Sequence, residues 1–373
     1  MTSLLLTIIL LTIKPLFLNT NKNCYFCPIN FHQTYLQLAF NLAQKGFGMV
    51  SPNPMVGCVI AHNENIIGEG YHQQYGGPHA EVNAINAVTD LSLLRDSTVY
   101  VTLEPCSHYG KTPPCANLLI QHGVKKVVIA CLDPNPLVAG KGVALLKAAG
   151  IEVEVGILEN EALAMNKRFI TYHTRKRPYI ILKWAMSKDG YMSHPDTKQI
   201  SGHKAQLMLH QWRTQEDAFV IGTETLLIDN PQLNSRLAIG KNPIRMAIDF
   251  DLKSQNLPLH FYDQSQKTYL LNGRKESKEG EVEFLKIANK NPDSIVECLY
   301  QKSIQSIVIE GGQRLLNSFI SAGLYDEIRI FKSKQLILNG GQLAPEIPEF
   351  NAAISDLETD ELLVYQNTKP NPA

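Results

Sequence analysis

Short apolar runs of strand length alternate with helical stretches along this chain, break once at Arg175-Lys176-Arg177-Pro178, and then resume. Before the break, apolar spacing predicts helices over 31–45, 79–88, 115–122, 143–149 and about 160–173. Strands are expected between them over 56–61, 66–70, 98–103, 127–131 and 152–156, with a rigid loop at Ser51-Pro-Asn-Pro54. After the break, strands are expected over 179–185, 218–222, 244–248, 268–271, 306–309 and 327–331. Helices are expected over 204–212 and from Gly312 through Phe319. Alternation of this kind specifies layered α/β domains. Two runs of it in 373 residues predict two domains, 31–176 and 177–373, hinged at the basic break.

Residues 1–30 stand apart. The apolar stretch 4–18 contains Lys14 and Pro15 and is too short for a membrane span. It lacks a basic leader and a small-residue cleavage site, so it does not read as a signal peptide either. The expectation is an apolar extension outside the fold, with a membrane or export role as the second reading. Cys24 and Cys27 lie in it, and with no second such pair they read as ordinary thiols.

Thirty-five basic and thirty-five acidic residues cancel to a formal charge of zero. That argues against a nucleic-acid binder with a broad basic face and favours a small-molecule substrate. Seven scattered cysteines do not form the even, regular framework of a small secreted protein. Reduced thiols and a cytoplasmic location fit better.

The most specific constellation is His79-Ala80-Glu81, then Pro105-Cys106, then Cys115. Zinc takes N and S ligands in a tetrahedron, and a catalytic site keeps one position for water. One histidine and two thiolates supply three ligands. The metal lowers the pKa of its water to around 7. Glu81 sits two residues past His79 at a helix start, placed to move protons without being a ligand. A His-x-Glu alone is common and is more often a structural pair. Cys106 at a strand end and Cys115 opening a helix make the difference. A structural zinc would more often show four protein ligands, and Glu81 would then have no purpose. His-x-Glu followed by Pro-Cys marks zinc deaminases of nucleosides and bases. Here the two cysteines are separated by eight residues rather than two.

The second half lacks Gly-x-Gly-x-x-Gly after a strand, so it is no ordinary Rossmann domain. It does have an apolar strand ending in Glu310-Gly311-Gly312 before a helix. A strand, two glycines and a helix N-terminus can cradle a phosphate, although a plain strand–turn–helix is the commoner meaning of the pattern.

The motifs together closely resemble those of the bifunctional riboflavin-biosynthesis deaminase–reductases of bacteria. They are Ser51-Pro-Asn-Pro-x-Val-Gly57, Gly70-Tyr-His72, Gly77-Pro-His-Ala-Glu81 and Thr102-Leu-Glu-Pro-Cys-Ser-His-x-Gly-Lys-Thr-Pro-Pro-Cys115. Asp133-Pro-Asn135, Gly140-x-Gly142, Lys183-x-Ala-x-Ser-x-Asp-Gly190, Ile221-Gly-Thr223 through Asp229-Asn-Pro231, and Glu310-Gly-Gly312 extend the match over about 31–340. The resemblance implies an α/β fold: a cytidine-deaminase-like three-layer domain followed by a dihydrofolate-reductase-like domain. It implies hydrolytic deamination of diaminohydroxyphosphoribosylaminopyrimidine by water activated on zinc, with Glu81 as proton carrier. NADPH reduction of the ribosyl group to ribityl would follow.

The resemblance also implies site residues. Asn53, His72, His108, Lys111, Asp133 and Asn135 would contact the pyrimidine nucleotide. Ala185, Thr225, Asp229 and the turn Gly312, Gln313, Arg314, Leu315, Leu316, Asn317, Ser318 would line the cofactor. Lys183, Thr197, Arg213, Leu233, Arg236 and Glu310 would hold the reductase substrate, with the arginines suited to a sugar phosphate. The partners expected are a small pyrimidine nucleotide and no nucleic acid or membrane, with a homo-oligomer left open.

Two departures bear on the second half. Gln199 stands where the family usually has a tryptophan, and the loop 191–197 is short. They keep open a reading in which a nucleobase or nucleic-acid deaminase carries a degenerate reductase half.

Overall fold

A computed structural model of the chain describes residues 31–108, 113–135, 138–197, 199–347 and 351–368. The apolar segment 1–30 lies outside the described residues, and among those described no helix is long and apolar enough to cross a membrane.

The first sheet has the order β2-β1-β3-β4-β5. Its strands are β1 (Gly57–His62), β2 (Asn65–Tyr71), β3 (Thr98–Val101), β4 (Lys126–Ile129) and β5 (Glu152–Val155). β1 runs antiparallel to β2 and β3, and β3, β4 and β5 are parallel. Alternation along the strands divides their side chains between two faces. Cys58 and Ile60 pack with α2 (Ala80–Asn86), α3 (Cys115–His122) and α4 (Lys141–Ala148) on one face. Val59 and Ala61 pack against α1 (Phe31–Ala43) on the other. The result is the expected helix–sheet–helix sandwich. α1 lies so close to β1 that a Cβ on Gly57 would sit 1.9 Å from the Ala39 carbonyl oxygen. Gly57→Ala is therefore expected to force backbone apart. Overpacking of this kind costs about 2–3 kcal/mol, a fall in thermal midpoint of roughly 4–12 °C by scanning calorimetry. An unchanged midpoint would show that α1 slides freely on the sheet.

The expected single helix over about 160–173 is two: α5 (Glu159–Met165) and α6 (Lys167–Arg175). Tertiary bonding makes the break. Buried Asn166 accepts from the Met55 N–H at 2.8 Å and donates to the Met55 carbonyl at 2.9 Å, holding φ −99° and ψ 23° between the helices.

The second sheet has ten strands in the order β11-β12-β10-β9-β8-β13-β6-β14-β17-β16. Its parallel body is β12 (Val282–Lys286), β10 (Thr268–Asn272), β9 (Ile244–Ile248), β8 (Ala218–Gly222), β13 (Ser306–Ile309), β6 (Tyr179–Met186) and β14 (Glu327–Ser333). Antiparallel strands β11 (Ser277–Glu279), β17 (Asp360–Gln366) and β16 (Ala353–Leu357) finish the two edges. These edge strands go beyond the sequence expectations, as do α8 (Thr223–Asp229) and α9 (Pro292–Gln301). A short strand pair, β7 (Tyr191–Ser193) with β15 (Gln342–Leu343), lies apart. Ile180, Leu182 and Trp184 face α9 and α10 (Gln313–Ser321), while Tyr179 and Ile181 face Leu226 of α8 and α7 (His203–Gln215). β13, late in the chain, inserts between β8 and β6. That order places a crevice outside the carboxyl ends of β6, β8 and β13, where ligands of open α/β sheets bind.

Two candidate active sites

The first site forms where α2 and α3 begin. His79 caps α2 and Cys115 opens α3, so two helix starts and the end of β3 converge. The ligand atoms of His79, Cys106 and Cys115 all lie within 4.8 Å of one another. His79 Nδ1 stands 3.3 Å from Cys115 Sγ and 3.6 Å from Cys106 Sγ. Edges of roughly 3.5 Å are what a zinc tetrahedron with N and S ligands requires, so the residues fit the metal. A hydrogen bond from the Cys115 thiol holds the Cys106 thiol below its usual range despite burial, with the His79 ring adding to the effect. That is the thiolate a soft metal needs. Glu81 is buried in the first turn of α2, where burial first, and then Cys106, push it up to about 7.

Around this core the expected substrate residues partly gather. Buried His72 packs edge-on to His79 at 5.6 Å between ring centroids. Its Nδ1 donates to the Pro78 carbonyl at 2.9 Å, which leaves Nε2 to accept from Asn53 Nδ2 at 3.0 Å. Asp133 accepts from the Asn135 N–H at 2.7 Å, and burial pushes it up to about 6. Exposed His108 acts on Asp133 electrostatically. Lys111 lies outside the described residues.

Glu104, part of the Thr102–Cys115 motif but given no role there, organises this rim. It is buried and accepts from the backbone N–H of Asp133 (3.3 Å), Gly140 (2.9 Å) and Val143 (3.1 Å). Its place just before Pro105-Cys106 is the available signal: a carboxylate there is buried with no cation nearby in sequence. Gly142 is needed at the same rim, since a Cβ would meet the Pro105 carbonyl at 2.2 Å.

The second site lies at the crevice of the large sheet. Lys183 on β6 stands 3.4 Å from Glu310, which also receives Arg213 Nη2 at 3.1 Å. Arg213 Nη1 donates to the Asn234 carbonyl at 3.1 Å. Burial opposes the Glu310 carboxylate, but Lys183 and Arg213 together hold it below the usual range. Burial lowers Lys183. Next to them a cavity of about 350 Å³ is lined by Arg213, Asp229, Leu233, Arg236 and His260. Five expected residues therefore meet here: Lys183, Arg213, Leu233, Arg236 and Glu310. Thr197 closes a turn onto His194 at 3.0 Å, and Gln199 is exposed and bonds the Ser201 carbonyl. Neither of these bonds joins them to this group.

Gly311 (φ +114°) and Gly312 lead into α10, whose first turn has no side-chain cap. The Leu315 N–H turns back to the Gly312 carbonyl at 3.0 Å, and a helix start of this kind is suited to receive an anion. A Cβ on Gly312 would lie 3.5 Å from Thr225 Oγ1, so Thr225 borders the same turn. Asp229 follows one turn later on α8. Ala185 is half-buried near the end of β6. Gln313, Leu315 and Ser318 are partly exposed on α10, and Arg314 and Asn317 are exposed. The Leu316 side chain is fully buried in the core beside Phe319. His210, one helical turn before Arg213, is a further residue of this site that no sequence motif marks. It is buried, and burial followed by Arg213 and Arg236 pushes it down to about 4. The three-residue spacing to Arg213 on a helix is its one signal.

Comparison with known proteins agrees with this division. The cytidine and deoxycytidylate deaminase zinc-binding region matches residues 29–131, and the RibD C-terminal domain matches 178–338. The class is thus a zinc-dependent deaminase carrying an NADPH-dependent reductase on one polypeptide. Riboflavin biosynthesis protein RibD of Aquifex aeolicus is 38% identical over 317 residues, covering 83% of this chain and 88% of that one. RibD of Bacillus amyloliquefaciens is 39% identical over 350 residues, covering 91% and 93%. The chain belongs to the RibD family, the bifunctional deaminase–reductases of riboflavin biosynthesis. A solved deaminase/reductase of Thermotoga maritima superposes with TM-score 0.83 at 34% identity, covering 90% of this chain and 98% of its own. Acinetobacter baumannii RibD gives 0.82 at 34%, covering 91% and 99%. The reading with a degenerate second half is not favoured, because these relatives match along both halves.

Proposed function

We propose that this chain deaminates diaminohydroxyphosphoribosylaminopyrimidine and then reduces the resulting 5-amino-6-(5-phosphoribosylamino)uracil, with a division of labour at residues 176/177. The Thermotoga maritima relative is described as carrying both of these activities. The observation that carries the first half is a buried carboxylate, Glu81, set against three convergent metal ligands. Zinc held by His79, Cys106 and Cys115 would supply a water acidified to a pKa near 7. Glu81 takes one proton from the attacking water and gives it to the ring nitrogen; it then takes the second proton from the new hydroxyl and gives it to the amine, so the C=O bond forms, the C–N bond breaks and ammonia departs. Asn53 and His72 would hold the pyrimidine, with Asp133, Asn135 and His108 around it, and Lys111 is assigned to the substrate phosphate as the resemblance implies.

In the second half NADPH would supply the hydride. The glycine turn at Gly311 and Gly312, with Thr225, Asp229 and Ala185, seats it. Lys183 and Glu310 bracket the opened ribose, and Arg213 and Arg236 take the phosphate. Two sites with separate substrates agree with a small-molecule enzyme of the cytoplasm. Both draw on residues of one copy, and a homo-oligomer would assemble complete units.

The experiment separates the two halves. Purified protein is given the diaminopyrimidine nucleotide without NADPH, then with it, and ammonia and NADPH are followed independently. Ammonia first, then NADPH oxidation, is the expected result. No ammonia from zinc-loaded protein would overturn the reading.

A further inference from the structure

Residues 46–55 carry the deaminase half against the reductase half. Gly48 (φ +83°) comes so near α7 that a Cβ would lie 2.5 Å from the Thr214 carbonyl oxygen. Beyond it the loop turns through Ser51 to Asn53, and there one side chain from the other half reaches over. Gln305, at the start of β13, is buried and donates from Nε2 to the Pro52 carbonyl at 2.7 Å. Its backbone is fixed within the reductase half: its N–H donates to Asp217 at 2.9 Å, and its carbonyl accepts from the Tyr179 N–H at 2.8 Å. Its main chain therefore belongs to one catalytic half, while its carboxamide grips the other.

What it grips matters. Pro52 precedes Asn53, whose Nδ2 meets His72 Nε2, and His72 packs on His79. A cavity lies beside Gln305, lined also by Phe47, Val50, Asn53, Met165 and Phe169. The Pro52 carbonyl is held by a directional bond from the other half.

We propose that Gln305, a residue of the reductase half, is a positioning residue for deamination: through the Pro52 carbonyl it sets Asn53 over the pyrimidine site. The proposal rests on the reading of Asn53 as a substrate contact. It would make substrate binding at the first site depend on the fold of the second half.

Gln305→Met, nearly the same shape but without a donor, tests it in the full-length chain. The diaminopyrimidine nucleotide KM for ammonia release should rise about tenfold, with kcat within twofold, since one substrate hydrogen bond lost from a displaced Asn53 is worth roughly that much binding. NADPH oxidation on the already deaminated nucleotide should keep its kinetics. A lower melting temperature with both sets of kinetics unchanged would make Gln305 merely structural and overturn the proposal. So would equal damage to both reactions. If the Met variant does not fold, Gln305→Glu keeps the length and replaces the donor with an acceptor, and the same split is read. Asn53→Ala separates the two ideas. If it leaves the deamination KM unchanged, the reading of Asn53 falls; if it raises KM while Gln305→Met does not, the positioning role alone falls.

Discussion

Glu81→Gln is expected to cut ammonia release on the order of a thousandfold, while bound zinc and NADPH oxidation of the deaminated nucleotide stay at wild-type levels. Glutamine keeps the volume and the polar tip of the side chain, so the buried site need not collapse. What it loses is the capacity to accept a proton from water and return it. Proton transfer by a positioned group contributes roughly 10²–10⁴-fold, and a carrier that serves both the attack and the departure of the amine sits well inside that range. The surroundings tune the carboxyl for such a role. Burial, and after it Cys106, raise Glu81 above the usual carboxylate range, which favours a group that both takes and releases a proton. Metal content by emission spectroscopy and ammonia release are the two readouts. Zinc lost together with activity would make Glu81 a structural support of the metal and overturn its assignment as proton carrier.

The deaminase chemistry is legible in the sequence because it is local there. His79 and Glu81 share one turn, and Cys106 and Cys115 bracket a single loop, so ligand spacing survives without knowledge of the fold. Helix starts are equally legible, as Cys115–His122 appears at the predicted bounds, stopped by Gly123 at φ +66°. Glu104 is hidden because its role is to accept three backbone N–H groups from a loop some thirty to forty residues away. Asn166 is hidden for the same reason: a residue inside a helical pattern ends that helix only because Met55 comes to meet it. The antiparallel edges β16 and β17 carry exposed or half-exposed polar positions, which blur a two-residue alternation. α9 does carry readable signals, with Asn291 capping the Ser294 N–H and Pro292 in the first turn. Ile295, Val296 and Leu299 at helical spacing point the same way. In the reductase half the functional residues come from β6, α7, β13 and the loop after α8. Only the register of a ten-stranded sheet brings Lys183, Arg213 and Glu310 into contact.

That convergence sets the second large effect. Arg213→Ala is expected to raise the KM of the reductase reaction about a hundredfold and leave ammonia release unchanged. A charge-assisted hydrogen bond contributes about 1.5–3 kcal/mol, or roughly 10–150-fold in binding. Two further consequences pull the same way. Without Arg213, Glu310 keeps Lys183 as its only cation among the described residues, so Lys183 is drawn more fully onto Glu310 and away from the ribose. The cavity beside them also keeps Arg236 but loses the buried cation at its inner wall. Stability falls too, because removing one partner of a buried ion pair costs about 3–5 kcal/mol, so kinetics must be read well below the melting temperature. Arg213→Lys discriminates between charge and shape. Lysine restores a cation but cannot reach the Asn234 carbonyl and Glu310 at once with the planar fork that Arg213 uses. Partial recovery of KM would assign the loss to the phosphate charge, and no recovery would assign it to the geometry that the fork imposes on α7 and the 234 loop. Deamination falling in parallel with reduction would contradict separate catalytic residues for the two reactions, since the hydrogen bonds of Arg213 go to Asn234 and Glu310 of its own half rather than to the metal cluster or the loop that carries Asn53.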